Sequence, residues 1–241
     1  MIKELEELGI RTVDELPCCE NGICIIRSHG ASPDVIRDVR EKGFEIVDLT
    51  CPDVKKVQQR AVELVRDGYL LIIVGKPEHP EVAAINANAR KFGDNVYVIS
   101  DVKSLKDIEN KIKEHKKTGV VVQTTQRIEV LTEILNHLVK ISKELKIYNT
   151  ICSSTRMRQE EARDLAKKSD LMVVVGSKKS ANTTHLAEIL KEITRTIHIE
   201  TDEELEDYSQ IIRKAQNISI TAGASTPDDI INKVYNKLSE Y

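Results

Sequence analysis

The sequence predicts an α/β protein, a pseudo-threefold arrangement of parallel-sheet α/β units of which the first is incomplete. Three observations predict it. Strand-like and helix-like patterns alternate from end to end, the signature of strands joined by helical crossovers. Several strand patterns are unbroken apolar runs, such as Leu70-Leu71-Ile72-Ile73-Val74, as expected of parallel strands covered on both faces. And one arrangement, a cysteine that closes a short apolar run and opens a long helix, occurs twice, at Cys51 and at Cys152.

In chain order the strand patterns fall at 23–27, 45–49, 69–74, 96–100, 119–123, 170–175, 196–200 and 218–221. Helix patterns lie among them at 33–41, 54–67, 81–89, 105–114, 128–145, 157–168, 184–192, 202–214 and 227–238. Within 128–145, Ile128, Leu131, Leu135, Leu138 and Ile141 form one apolar face at helical spacing. The residues before Ile10 read as a short amphipathic helix and not as a signal peptide.

The two cysteine-led segments repeat each other. Cys51 and Cys152 lie 101 residues apart, and so do Gly75 and Gly176, each closing a strand. Thr124 and Ser225 stand in the same relation. Each unit runs cysteine, helix, strand, polar loop, helix, strand, helix, strand, polar loop, helix. The residues before Cys51 match the second half of such a unit, because Ile25 to Pro33 is a strand, a polar loop and a helix start like Ile220 to Pro227. The chain therefore reads as two and a half units, divided at 1–50, 51–149 and 150–241, with a leading half-unit of roughly 45 residues expected upstream.

Composition narrows the function. With 40% hydrophobic and 31% charged residues, the chain can build a core and is not of the disordered class. A net charge of −3 and an aromatic content of 3% give neither a basic field nor stacking platforms for nucleic acid. No apolar run reaches the ~20 residues of a membrane span. A cytoplasmic location is expected, and there five cysteines, an odd number, point to free thiols, metal ligands or a nucleophile rather than to a disulfide framework.

Ligands of open α/β sheets bind beyond the carboxyl ends of the strands, and every informative loop falls there. Ser28-His29-Gly30, Glu78-His79-Pro80-Glu81, Gln123-Thr124-Thr125, Ser180-Ala181-Asn182-Thr183 and Ala224-Ser225-Thr226-Pro227 each precede a helix. Hydroxyls, amides and imidazoles at helix starts suit a phosphate or diphosphate. The absence of a Walker-type loop argues against a nucleoside triphosphate. Each feature also has a structural alternative: plain N-caps for the hydroxyls, a dipole contact for Glu81, small buried hydrophobes for the cysteines. Five such loops in register with two cysteines favour the joint functional reading. Cys18, Cys19 and Cys24 are spaced as no usual ligand set, and are read as non-ligands. His115, His137 and His198 are read as surface or packing residues away from the loops.

Seven motifs in order resemble the LytB-type 4-hydroxy-3-methylbut-2-enyl diphosphate reductases, which end the non-mevalonate isoprenoid pathway. They are Arg27-Ser28-His29-Gly30, Asp48-Leu49-Thr50-Cys51-Pro52, His79-Pro80-Glu81-Val82, Gln123-Thr124-Thr125, Thr150 to Thr155, Val175 to Asn182, and Thr221 to Pro227. The resemblance spans the whole chain. It implies three similar α/β domains around a 4Fe–4S cluster, with Cys51 and Cys152 as iron ligands. It implies that His29, His79, Ser180, Ala181, Asn182 and Ser225 hold the diphosphate and that Thr124 bonds the substrate hydroxyl. Glu81 would deliver the proton with which hydroxide leaves, with His79 beside it. An isoprenoid diphosphate is the implied small-molecule partner, and ferredoxin or flavodoxin the implied electron donor. The family's Gly-Phe-Cys segment with the third cluster cysteine, and a His-Asn motif after it, have no counterpart in this sequence. The resemblance thus implies either the reductase lacking its first half-unit, or a cluster-free diphosphate-binding or scaffold protein derived from it.

Overall fold

The computed structural model describes residues 2–13 and 22–241. A short helix α1 (Ile2–Glu7) precedes the first sheet, which holds β1 (Ile23–Ile26), α2 (Pro33–Glu41) and β2 (Glu45–Asp48). Next come α3 (Pro52–Arg66), β3 (Leu70–Val74), α4 (Pro80–Arg90), β4 (Val96–Ile99), α5 (Val102–Lys106), α6 (Glu109–Glu114), β5 (Thr118–Val122), α7 (Ile128–Ile141) and β6 (Leu145–Ile147). The last group is α8 (Ser153–Ala166), β7 (Leu171–Val175), α9 (Ala181–Lys191), β8 (Thr196–Ile199), a 3-10 helix (Asp202–Tyr208), α10 (Ser209–Ile212), β9 (Ile218–Ala222) and α11 (Asp228–Leu238).

The strands form three separate sheets, ordered β1-β2, β4-β3-β5-β6 and β8-β7-β9. Every pairing is parallel. The repeated α/β arrangement expected from the sequence is present, and the polar loops belong to three sheets rather than to one edge.

Alternation along the buried strands explains the layers. Leu71, Ile73 and Val121 point to one face of the second sheet and pack on Val57, Ala61 and Leu64 of α3 and on Val82 and Ile85 of α4. Leu70, Ile72, Val120 and Val122 point to the other face, onto Leu131, Ile134 and Leu138 of α7. The third sheet repeats the plan: Met172 and Val174 meet α8 and α9, while Val173 and Val175 face Leu205, Ile212 and Val234. Burying each such side chain contributes about 1.5–3 kcal/mol.

Five expected elements change, α8 among them, which begins at Ser153, four residues before the expected 157. The helix expected over 128–145 stops at Ile141, with Ser142 in extended backbone, and Leu145–Ile147 pairs with β5 in the register Thr118↔Leu145. Sheet pairing has overridden a helical pattern there. The 105–114 segment is two short helices, and 202–214 is largely 3-10. Helix α9 begins three residues earlier than expected, at Ala181.

The three sheets differ at one edge. β1 is covered by β2 and β5 by β6, whereas β9 pairs only with β7 among the described residues. All five residues of β9 keep partial exposure, and a cleft of about 370 Å³ beside it is lined by Arg158, Glu161, Thr221 and Asp228.

Candidate active site

The carboxyl ends of the strands carry the chemistry. At the end of β3, Gly75 lets the chain turn against α4: a Cβ there would sit 2.7 Å from Val82 and 2.9 Å from Gln123. The loop returns into α4 with His79 as N-cap, its Nδ1 accepting from the Glu81 N–H at 3.2 Å. Because Nδ1 accepts, the ring proton of the neutral imidazole sits on Nε2.

Glu81 in the first turn of α4 is almost completely buried, 1% exposed. The Thr124 N–H donates to Oε1 and the Thr124 hydroxyl to Oε2, each at 2.7 Å. Burial pushes the carboxyl above the usual carboxylate range, against the downward pull of the two Thr124 bonds. The pair is a buried acid held by a hydroxyl.

Imidazoles gather at His79, the cap beside it. The rings of His29 and His79 meet edge to face, with centroids 5.2 Å apart. His79 is held down to about 4, first by burial and then by His29, His185 and Lys76. Burial and Arg27 lower His29 as well. The buried His29 Nδ1 has no hydrogen-bond partner among the described residues. Burial thus disfavours the charged form of both rings, and Lys76 adds to this at His79.

The two cysteines sit at matching corners. Cys51 is the N-cap of α3, its N–H donating to the Ser28 carbonyl at 3.0 Å and its thiol making no cap bond. Cys152 is the N-cap of α8, its N–H donating to the Thr124 carbonyl at 3.0 Å. Its Sγ lies 3.4 Å from Thr155 N and 3.6 Å from Thr155 Oγ1. The turn before Cys51 is fastened by Asp48, which accepts from Thr50 N and from Lys55 and is held down to about 2 by Lys55 and Thr50. The turn before Cys152 is fastened by Thr150, whose hydroxyl accepts from Val122 N and donates to Val122 O.

Iron–sulfur clusters are held by cysteine thiolates, and N–H groups at a helix start suit a sulfur that carries charge on iron. Cys51 and Cys152 fit two positions of such a ligand set. Among the described residues no group of three or more His, Cys, Asp or Glu could hold a metal ion. Cys24 lies within β1, and Cys18 and Cys19 lie outside the described residues.

The third sheet brings Ser180, Ala181 and Asn182 to the start of α9, where the Ser180 hydroxyl caps Thr183 N. The loop after β9 lies against it, since a Cβ on Gly223 would meet Thr183 Oγ1 at 2.0 Å. Ser225 stands exposed on that loop. His115 Nδ1 donates to the Lys117 carbonyl at 2.9 Å within its own turn, and His137 lies on α7. His198 reaches Gly176 O at 2.9 Å, so it touches the loop it was expected to avoid.

One residue went unread in the sequence. His185, on α9, is 2% exposed, and its Nδ1 lies 2.8 Å from Thr125 O. The 101-residue repeat could have found it, because its counterpart in α4 is the buried Ala84.

Fold and site together define a parallel α/β protein whose strand-end loops carry a buried acid, imidazoles and two helix-start thiols. The chain belongs to the LytB protein family, whose model matches residues 1–239. A relative from Syntrophotalea carbinolica named 4-hydroxy-3-methylbut-2-enyl diphosphate reductase is 42% identical over all of this chain and 84% of its own length. One of the same name from Aquifex aeolicus is 38% identical over 99% of this chain and 81% of its own. A solved (E)-4-hydroxy-3-methyl-but-2-enyl diphosphate reductase, described as the terminal enzyme of the non-mevalonate pathway, is 37% identical with a TM-score of 0.68, over 99% of this chain and 83% of that one. The Plasmodium falciparum E-1-hydroxy-2-methyl-but-2-enyl-4-diphosphate reductase is 26% identical yet has a TM-score of 0.87, over 97% of this chain and 73% of that one. The family is one of reductases, and the chain is a member of an enzyme family.

Proposed function

We propose that the chain removes the hydroxyl of 4-hydroxy-3-methylbut-2-enyl diphosphate as water, giving isopentenyl and dimethylallyl diphosphate. The observation that carries this reading is Glu81, a buried carboxyl raised toward its protonated form whose two oxygens accept from Thr124. Breaking the carbon–oxygen bond as water takes one proton at oxygen; the remaining allylic carbons take two electrons and a second proton. Glu81 supplies the first. When it is protonated, the Thr124 hydroxyl accepts from it and turns its own proton to the substrate hydroxyl, a short relay over bonds of 2.7 Å.

His29, His79, Ser180, Ala181, Asn182 and Ser225 hold the diphosphate, the imidazoles taking up protons as the anion enters and the start of α9 offering N–H groups. Seating the diphosphate there fixes the alcohol end near Thr124. Cys51 and Cys152, with ligands not among the described residues, would hold a 4Fe–4S cluster that supplies the electrons, delivered by a ferredoxin or flavodoxin. The functional units are 1–50, 51–149 and 150–241, and the location is the cytoplasm.

A second reading has its own support: only two thiols come to the site among the described residues, which favours a cluster-free diphosphate-binding protein derived from the reductase. Anaerobic reconstitution with iron counted per chain separates the two, followed by turnover with a chemically reduced donor. About four irons per chain with water release supports the reductase. Colourless protein that still binds the diphosphate supports the second reading.

A further inference from the structure

We propose that His185 is a positioning residue that locks the anion-holding start of α9 to the loop carrying Thr124, setting the distance between diphosphate and acid. The proposal rests on the reading of those two places given above. It starts from where the ring sits. His185 lies one turn beyond Ala181 on the same face of α9, and helical side chains lean back toward the N-terminus. Its ring leaves its own unit and reaches the carbonyl of Thr125 on the second sheet, 2.8 Å from Nδ1. A carbonyl only accepts, so Nδ1 carries the proton.

The loop it grips is held by a set of assigned bonds. Thr124 spends its N–H and hydroxyl on Glu81 and its carbonyl on the Cys152 N–H. The Thr125 hydroxyl accepts from Gln123 Nε2 at 3.0 Å, and Gln123 Oε1 accepts from Lys76 N. The Thr125 carbonyl faces the third sheet, and His185 takes it. Other ties between these two sheets, Arg127–Glu192 at 2.7 Å and Arg163–Glu129, each include a partner that is 40% exposed or more. Exposed ion pairs fix geometry weakly. A bond from a buried imidazole does so more firmly, because its loss leaves a part-buried carbonyl without that partner.

The test uses two variants. His185→Leu keeps the volume and removes the donor; His185→Asn returns an N–H near the place of Nδ1. In the ligand-free protein, amide exchange at Thr124 should speed at least about ten-fold in the Leu variant and stay within about three-fold in the Asn variant. By calorimetry, inorganic pyrophosphate should bind the wild type and both variants alike, since it reaches only the anion end. The hydroxylated substrate, which spans both ends, should bind the Leu variant about ten-fold more weakly and the Asn variant nearly as the wild type. Unchanged Thr124 exchange in a folded Leu variant overturns the clamp. So does a folded Asn variant that behaves like Leu. Failure of the wild type to bind either diphosphate would overturn the functional reading instead, while the exchange measurement would still decide the clamp.

Discussion

The second and third sheets build the same corner with different residues, and the difference divides the chemistry between them. The helix N-cap is His79 in one and Ser180 in the other; two residues on stand Glu81 and Asn182; the next loop brings Thr124 and Ser225. In the second sheet, Glu81 and Thr124 are buried and bonded to each other. In the third, Asn182 is half-buried and Ser225 exposed. One scaffold position thus carries a titratable acid in one unit and a neutral amide in the other. Neutral amides and hydroxyls bind a diphosphate without repelling it, and a buried carboxyl keeps a proton that an exposed one would lose.

The largest break in this division should come from Glu81→Gln. The amide can keep both Thr124 contacts, so diphosphate binding should hold within two-fold while reduction falls by about 10²–10⁴. Single-turnover assays with the reconstituted enzyme check this; unchanged turnover removes Glu81 from the acid role. The same variant carries a stability signature. A buried acid whose folded pKa is raised costs the fold stability once pH exceeds the unfolded value near 4.3. The melting temperature of Glu81→Gln should therefore gain on wild type from about pH 4.5 upward.

The converse change, Asn182→Asp, puts a carboxyl where the proposed function seats the diphosphate. Like charges at contact distance should weaken pyrophosphate binding by roughly 10- to 100-fold at neutral pH. Equal affinity in calorimetry would show that Asn182 does not face the diphosphate.

How far the sequence foretells this asymmetry depends on the kind of signal. The apolar runs and the repeated cysteine corners specify parallel sheets, since strands buried on both faces admit few polar residues. Glu81 was legible as chemistry, but its pairing with Thr124 joins residues 43 apart in sequence, which periodicity does not report. β6 was illegible for a similar reason: Leu145 and Ile147 become a strand only because β5 offers an open edge. His185 lay inside a helical pattern, where a histidine reads as packing until the facing carbonyl is seen.

Packing between the loops is a smaller lever. A Cβ on Gly223 would stand 2.0 Å from Thr183 Oγ1 and 3.2 Å from its Cβ, whereas one on Gly75 would meet Val82 at 2.7 Å. Gly223→Ala should cost about 1–3 kcal/mol and push the Ser225 loop off α9, loosening pyrophosphate. Chemical denaturation and calorimetry on the same sample check both effects. A stable variant with wild-type affinity would mean that Thr183 yields freely.

The smallest effect is a matter of pH, and at the helix N-cap it belongs to the second sheet, because Ser180 stands where His79 does. Folding holds His79 down to about 4, chiefly by burial, against an ordinary value near 6.5. The fold therefore keeps full stability above pH 6.5 and loses it as pH falls toward 4, since only the unfolded chain takes the proton readily. Solvent screening at the half-buried ring trims the loss to about 1 kcal/mol. His79→Gln should erase that part of the acid slope in melts between pH 7 and pH 4, and His79→Ser, which copies the third sheet's cap, should do the same. Pyrophosphate should reverse the sign for wild type: an anion beside the ring raises its pKa, so binding takes up protons and tightens as pH falls toward 6. If the affinity of the Gln variant rises as steeply over that range, the protons are going to the ligand or to His29.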